Sequence, residues 1–200
     1  MAQPNAIPAR ENLHPEEEGL VQGLRAGAPE AAQELCARYG PRLYRFAAAR
    51  LPGDAPAAED VMAYALTDAA HNIHRFDPRR SGFTAWLFGI AARKLRDAVR
   101  VQRRRKSLPP SAQTSMESLA EAAETTDLAE TLAARLDAQR QAADLAAVLS
   151  NLEFEVLALH CVEELSAREI EAVIGRSERA VHSILHRARQ KARERLVHDA

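Results

Sequence analysis

Hydrophobic positions along this chain recur at steps of three and four, the period of helices with one face turned inward. Leu20, Val21 and Leu24 predict a short helix over Pro15–Ala26. Ala32, Leu35, Cys36, Tyr39, Leu43, Phe46 and Ala47 predict a second from about Pro29 to Leu51. Pro52-Gly53-Asp54 breaks it, and Asp54 is placed to cap a third helix with Pro56 in its first turn. That helix carries Val61, Ala65, Leu66 and Ala69 inward and runs to about Arg75. Phe76–Gly82 is rich in turn residues and reads as a loop. A fourth helix runs from Phe83 to Lys106, with Trp86, Leu87, Ile90, Ala91, Leu95 and Val99 on one face. No segment alternates in the manner of a strand.

The pattern lapses after Pro109-Pro110, in a stretch rich in Ser, Thr, Ala, Glu and Asp that reads as a solvated linker. It resumes near Leu132 and runs to Leu149. Leu152–Val162 is a further helix, with Phe154, Leu157, Ala158 and Cys161 inward. Ser166-Ala167-Arg168-Glu169 has the spacing of a capping box and opens a short helix holding Ile170, Val173 and Ile174. Gly175 supplies a turn, and Ser177 caps a longer helix with Val181, Ile184, Leu185, Ala188 and Ala192 inward. Short helix, glycine turn and longer helix form a helix-turn-helix pattern. The free face of the second helix is basic, through Arg179, His182, His186, Arg187, Arg189, Lys191, Arg193 and Arg195. Polar groups at the N-terminal end of such a helix reach base edges, while cations further along hold phosphates.

Taken as a total, charge argues against a polyanionic partner: 27 Lys+Arg stand against 28 Asp+Glu, a formal net charge of −1. The average hides segregation. Residues 38–106 hold 15 basic and 6 acidic side chains, net +9. Residues 107–164 hold 2 basic and 11 acidic, net −9. Residues 165–200 hold 8 and 5, net +3. Two basic modules flank an acidic stretch, a layout suited to nucleic acid. No stretch reaches about 18 apolar residues, so no membrane insertion is expected, and the first residues lack the apolar core of a secretory signal. The two cysteines, Cys36 and Cys161, have no CxxC partner and are read as reduced core residues of a cytoplasmic protein. The expected fold is all-α: residues 1–14 disordered, a helical domain over 15–106, a flexible acidic linker over 107–137 and a helix-turn-helix domain over 138–200.

Ser177-Glu178-Arg179-Ala180-Val181-His182-Ser183-Ile184-Leu185-His186-Arg187-Ala188-Arg189 resembles the region 4 signature of bacterial RNA polymerase sigma factors of the extracytoplasmic-function (ECF) group. Leu165-Ser166, Glu169-Ile170 and Ile174-Gly175 match the same family. Leu43-Tyr44-Arg45-Phe46, Ala58-Glu59-Asp60, Arg75-Phe76-Asp77-Pro78-Arg79 and Trp86-Leu87-Phe88-Gly89-Ile90-Ala91 resemble region 2, with Arg93-Lys94, Asp97 and Arg100. The resemblance implies that region 4 reads the minus-35 element through Ser177, Glu178, Arg179, Ala180, His182, Ser183, His186 and Arg187. It implies that region 2 opens the minus-10 element. The residues concerned are Phe76, Asp77, Arg79, Arg80, Ser81, Arg93, Lys94, Arg96, Arg100 and Arg103. Glu59, Asp60, Ala63 and Tyr64 would meet the clamp helices of the polymerase core. Opening DNA requires unstacking bases, and the loop Asp77–Gly82 matches the position of a pocket for a flipped base. The family places Gln, an acidic residue and aromatics after Ala-Glu-Asp. Here Ala63, Tyr64, Leu66 and Ala70 stand instead, so core contact is expected to differ in detail. A cognate anti-sigma factor is a further partner implied by the family.

Plainer readings apply to several of these residues. Trp86 lies on the apolar stripe with Ile90 and reads as core. His182 and His186 have metal-ligand spacing but no third ligand, Cys161 being read as buried. No nucleophile–base pair, phosphate loop or carboxylate dyad indicates an enzyme, and no cofactor is expected. Two rival readings remain: a helix-turn-helix regulator, and a sigma mimic that sequesters an anti-sigma factor.

Overall fold

The computed structural model describes residues 13, 15–106, 145 and 147–197. The N-terminal tail, the acidic linker and most of the helix read over 132–149 lie outside the described residues. Among the described residues there are seven α-helices and no strand. They are α1 (Pro15–Arg25), α2 (Pro29–Ala48), α3 (Ala55–His71), α4 (Phe83–Lys106), α5 (Asn151–Cys161), α6 (Ala167–Ile174) and α7 (Glu178–Val197).

Local chemistry sets the helix ends. The Asp54 side chain accepts a hydrogen bond from Ala57 N, capping α3. That helix stops at His71, four residues short of the boundary read from sequence, and Ile73–Arg75 tightens into a 3₁₀ turn. Ser150 and Glu153 form a reciprocal capping box on α5, as Ser166 and Glu169 do on α6. Gly175 ends α6 at φ 67°, a left-handed conformation that costs glycine little.

Helix α2 packs on α1 and α3, and α3 on α4. The buried stripe of α3 is Ala58, Val61, Ala65 and Ala69. Side chains this short let α3 approach its neighbours closely. At the α1–α2 corner the approach is tighter still: a Cβ on Gly23 would lie 2.7 Å from the Ala31 Cβ. An aromatic cluster closes the far end, with Phe83 against Tyr39, Phe76 and Trp86 at centroid distances of 5.5, 5.6 and 5.8 Å. Trp86 is half-buried there. Under it, Glu17 accepts from Tyr39 Oη at 2.9 Å and from Thr84 Oγ1 at 2.7 Å. Burial in this network pushes the Tyr39 phenol up to about 12.

The C-terminal helices α5, α6 and α7 pack on one another, and α6 also lies against α4. The hydrophobic core is therefore continuous: Val156, Leu159, Ile170 and Val173 join the cluster built on Leu43, Phe88 and Leu95. Sequence patterning gave two helical modules but nothing of this contact between them.

Two expectations need correction. Cys36 and Cys161 are both exposed, not core. The buried stripe of α2 is Ala31, Leu35, Tyr39, Leu43, Phe46 and Ala47, so Ala31 takes the place read for Ala32. Cys36 follows Leu35 by about 100° of rotation, which turns it out of that stripe. Helix α5 buries Glu153, Phe154, Glu155, Val156 and Leu159, leaving its last residue, Cys161, at the rim beside an exposed Val162.

Candidate nucleic-acid interface

The recognition helix α7 is anchored by Val181, Ile184, Leu185 and Ala188, all buried. Ser177, Glu178, Arg179, His182, Ser183, His186 and Arg187 are exposed, and Ala180 is half-buried between them. The helix starts cleanly: Ala180 N donates to Ser177 Oγ at 3.4 Å, and Glu178 N donates to Glu171 Oε2 of α6 at 3.2 Å. His182 Nε2 lies 3.8 Å from Glu178 Oε1 one turn back. Sequence reasoning missed what orients α7. Buried Glu153 of α5 accepts from Lys191 Nζ at 2.8 and 3.0 Å and lies 3.8 Å from Arg187 Nε. Those bonds, with the Lys191 bond the largest influence, hold the Glu153 carboxyl down at about 2. Arg187 is thereby tied to its own domain as well as turned to solvent.

The second surface surrounds the Phe76–Gly82 loop. Asp77 accepts from Arg79 N at 3.0 Å and from Arg79 Nε at 3.3 Å, folding the loop back on itself. The backbone bond from Arg79 is the main reason the Asp77 carboxyl sits below its ordinary range. Arg25 Nη2 donates to Phe76 O at 2.9 Å. A cavity of about 500 Å³ opens here, lined by Arg25, Phe76, Asp77, Pro78 and Arg79. Arg79 and Arg80 are exposed. Phe76 and Ser81 are buried, and the Phe76 ring belongs to the aromatic cluster.

From this loop α4 runs outward with Arg93, Arg96, Arg100 and Arg103 exposed. Lys94 is half-buried, its Nζ 4.8 Å from the ring centroid of Tyr64, a cation–π contact that ties α4 to α3. Glu59, Asp60, Ala63 and Tyr64 share one exposed strip of α3, opposite its buried alanines.

Arginines of α4, of α2 and of the turn after α2 have partners that the sequence did not announce. Arg96 Nη1 donates to Glu155 Oε1 at 2.6 Å. Arg42 donates to Glu163 Oε2 from Nε at 2.9 Å and lies 2.7 Å away through Nη2. Arg50 and Arg103 both donate to Asn151 Oδ1, and the Arg50 guanidinium stacks 4.9 Å from the Phe154 centroid. Glu153, Glu155 and Glu163 were counted with the acidic stretch, yet all three are buried. Among the described residues no cluster of three or more His, Cys, Asp or Glu is placed to hold a metal, and no helix is long and apolar enough to cross a membrane.

An all-α chain with a basic, helix-turn-helix-borne reading face and a second basic face beside an arginine-lined loop is built as a promoter-recognition factor. Residues 35–105 match the family model of Sigma-70 region 2, and residues 139–191 that of Sigma-70 region 4. The chain is 33% identical over 184 residues to the RNA polymerase sigma factor CnrH of Cupriavidus metallidurans, covering 90% of this chain and 94% of the relative. It is 31% identical over 176 residues to the sigma factor CarQ of Myxococcus xanthus, covering 88% and 95%. With the ECF sigma factor SigD of Mycobacterium tuberculosis the identity is 29% over 183 residues, covering 90% and 84%. The solved structure of CnrH in complex with the cytosolic domain of CnrY aligns with a TM-score of 0.64 and 29% identity, covering 90% of this chain and 97% of that one. The chain belongs to the ECF group of RNA polymerase sigma factors. It directs polymerase core to promoters, and its partners are that core and promoter DNA.

Proposed function

We propose a division of this work among the surfaces described. Residues 138–200 form the minus-35 module, in which Ser177, Glu178, Arg179, Ala180, His182, Ser183, His186 and Arg187 face duplex DNA. Residues 15–106 form the minus-10 module, in which Asp77, Arg79 and Arg80 border the pocket for a displaced base. Arg93, Lys94, Arg96, Arg100 and Arg103 hold the strands' phosphates. Glu59, Asp60, Ala63 and Tyr64 meet the clamp helices. The protein catalyses nothing itself: it positions the polymerase and lowers the cost of opening. It works in the cytoplasm under an anti-sigma factor, as a complex such as CnrH with CnrY suggests for its relatives.

The observation that carries this reading is the exposure of Arg179 and its neighbours at the N-terminal end of α7, on a helix held from behind by buried Val181, Ile184 and Leu185. The test is in vitro transcription with polymerase core across a genomic promoter library. Promoter-specific transcripts that start only when the chain is added support the reading; their absence would overturn it.

A further inference from the structure

The pocket beside the Phe76–Gly82 loop has one wall that comes from outside the loop. Arg25 stands in the last turn of α1, before residues 35–105, the stretch matched to Sigma-70 region 2. The chain fixes it there. Ala28 N donates to Gly23 O at 3.0 Å and Gly27 N to Leu24 O at 3.1 Å, the paired bonds of a Schellman end, with Gly27 at φ 71°. Leu20, Val21 and Leu24 are buried beneath it, and α1 packs on α2 and on the Ile73–Arg75 turn. From this rigid base Arg25 Nη2 donates to Phe76 O at 2.9 Å. The far end of the loop is tied to the same helix, because Glu17 accepts from Thr84 Oγ1 at 2.7 Å. Helix α1 thus holds the chain on both sides of the loop and sets the loop's span.

The bond to Phe76 O engages one edge of a guanidinium that carries several more N–H donors. Arg25 is exposed, and it lines the cavity of about 500 Å³ with Phe76, Asp77, Pro78 and Arg79. The other cation of that lining is already offset: Arg79 is folded onto the Asp77 carboxylate, with its Nε 3.3 Å away. Among the contacts described, no carboxylate lies on Arg25. We infer that Arg25 is a specificity-determining residue of this pocket, its fork taking the acceptor edge of the base displaced from the minus-10 element. The inference rests on the proposed minus-10 role of the loop. An arginine donates and never accepts, so it favours a base that turns two adjacent acceptors toward it. Guanine does so through O6 and N7, and cytosine through O2 and N3, whereas adenine and thymine offer no such pair. The bond to Phe76 O fixes the angle of the fork, so one side chain both shapes the pocket and reads its occupant.

The test measures binding of single-stranded minus-10 oligonucleotides to the full chain assembled with polymerase core. The element is taken from a promoter on which the wild-type chain initiates, and each position carries each of the four bases in turn. At one position the wild type should prefer guanine or cytosine, and Arg25→Ala should reduce that preference by about tenfold, the worth of a bidentate contact. Arg25→Lys keeps the charge and a donor for Phe76 O but lacks the fork. It should bind the strand more tightly than Arg25→Ala and remain as unselective. Thermal melting of the free chains checks that both variants fold. An unchanged base preference in a folded Arg25→Ala chain overturns the proposal. So does an even loss of affinity for all four bases, which marks a phosphate contact or a brace alone, and so does full selectivity in Arg25→Lys. A wild-type chain with no base preference at any minus-10 position removes the minus-10 reading itself, and the role of Arg25 with it.

Discussion

Arg96 and Glu155, 59 residues apart in the chain, meet at 2.6 Å with the carboxylate buried and the guanidinium partly in solvent. Burial is the larger influence on Glu155 and raises its pKa above the ordinary carboxylate value; Arg96 and Arg50 pull it back down. A carboxyl with a raised folded pKa favours the fold below its unfolded value and loses that contribution as pH rises through the raised one. Removing Arg96 leaves the charge buried without its closest partner. Arg96→Ala should therefore cost about 1–3 kcal/mol at pH 7, the exposure of Arg96 keeping the figure below that of a fully buried pair. The deficit should shrink at acid pH, where the carboxyl with its raised pKa takes its proton. Urea titrations of wild type and variant at both pH values measure it. A deficit independent of pH would count against the pairing.

Glu153, two residues away, should behave oppositely. Lys191 and the Ser150 cap hold its pKa at about 2, against an ordinary 4.5. A lowered carboxyl pKa stabilises above the unfolded value, and that stabilisation fades as pH drops from about 4.5 toward about 2. Glu153→Gln should cost about 1–3 kcal/mol at pH 7 through the lost ion pair with Lys191, since the glutamine carbonyl still accepts from Ser150 N and keeps the cap. The gap between wild type and variant should close in acid. Thermal melts from neutral pH downward read it, and a gap that widens in acid would refute the assignment.

How far the sequence disclosed these features depended on the range of the interaction. Ser166–Glu169 and Gly175 were readable because capping and a left-handed turn are settled within a few residues. The recognition face of α7 was readable because its anchors, Val181, Ile184, Leu185 and Ala188, keep helical period over about two turns. Glu155 and Glu163 were not: an acid on a helix is solvated in most settings, and only partners more than 50 residues away show otherwise. Alanine-rich faces were ambiguous too. Ala31 and Ala32 are equally apolar, so α2 could be phased either way, and Cys36 was misplaced with it. Phe76 sat in a motif associated with DNA, while the ring packing that buries it needs Phe83 and Trp86 from the next helix.

The α1–α2 corner supplies a packing prediction. A Cβ at Gly23 meets the Ala31 Cβ at 2.7 Å, closer than two carbons tolerate. The helices must separate to admit it, so Gly23→Ala should destabilise by about 1–3 kcal/mol despite the better helix propensity of alanine. Ala31→Gly in the same chain removes the clashing atom and should recover most of the loss. Denaturation midpoints of the single and double variants decide it; a double variant as weak as the sum of the singles would show the two sites to be independent.

The recognition helix separates two arginines that the sequence treated alike. Arg179 is exposed at the reading end of α7, its backbone carbonyl taken by Ser183 Oγ at 3.1 Å. Arg187 lies two turns on, with its Nε 3.8 Å from Glu153. Arg179→Ala should weaken minus-35 recognition by about 1–3 kcal/mol, the worth of a base contact, and leave the melting temperature unchanged. Arg187→Ala should weaken binding evenly across sequences, as a phosphate contact does, and lower the salt dependence. It should also bring a small loss of stability, because Glu153 then keeps Lys191 as its only cation among the contacts described. Competition binding on mutated minus-35 duplexes at two salt concentrations distinguishes them. If Arg187→Ala alters promoter preference while Arg179→Ala does not, the end of α7 that reads bases has been assigned the wrong way round.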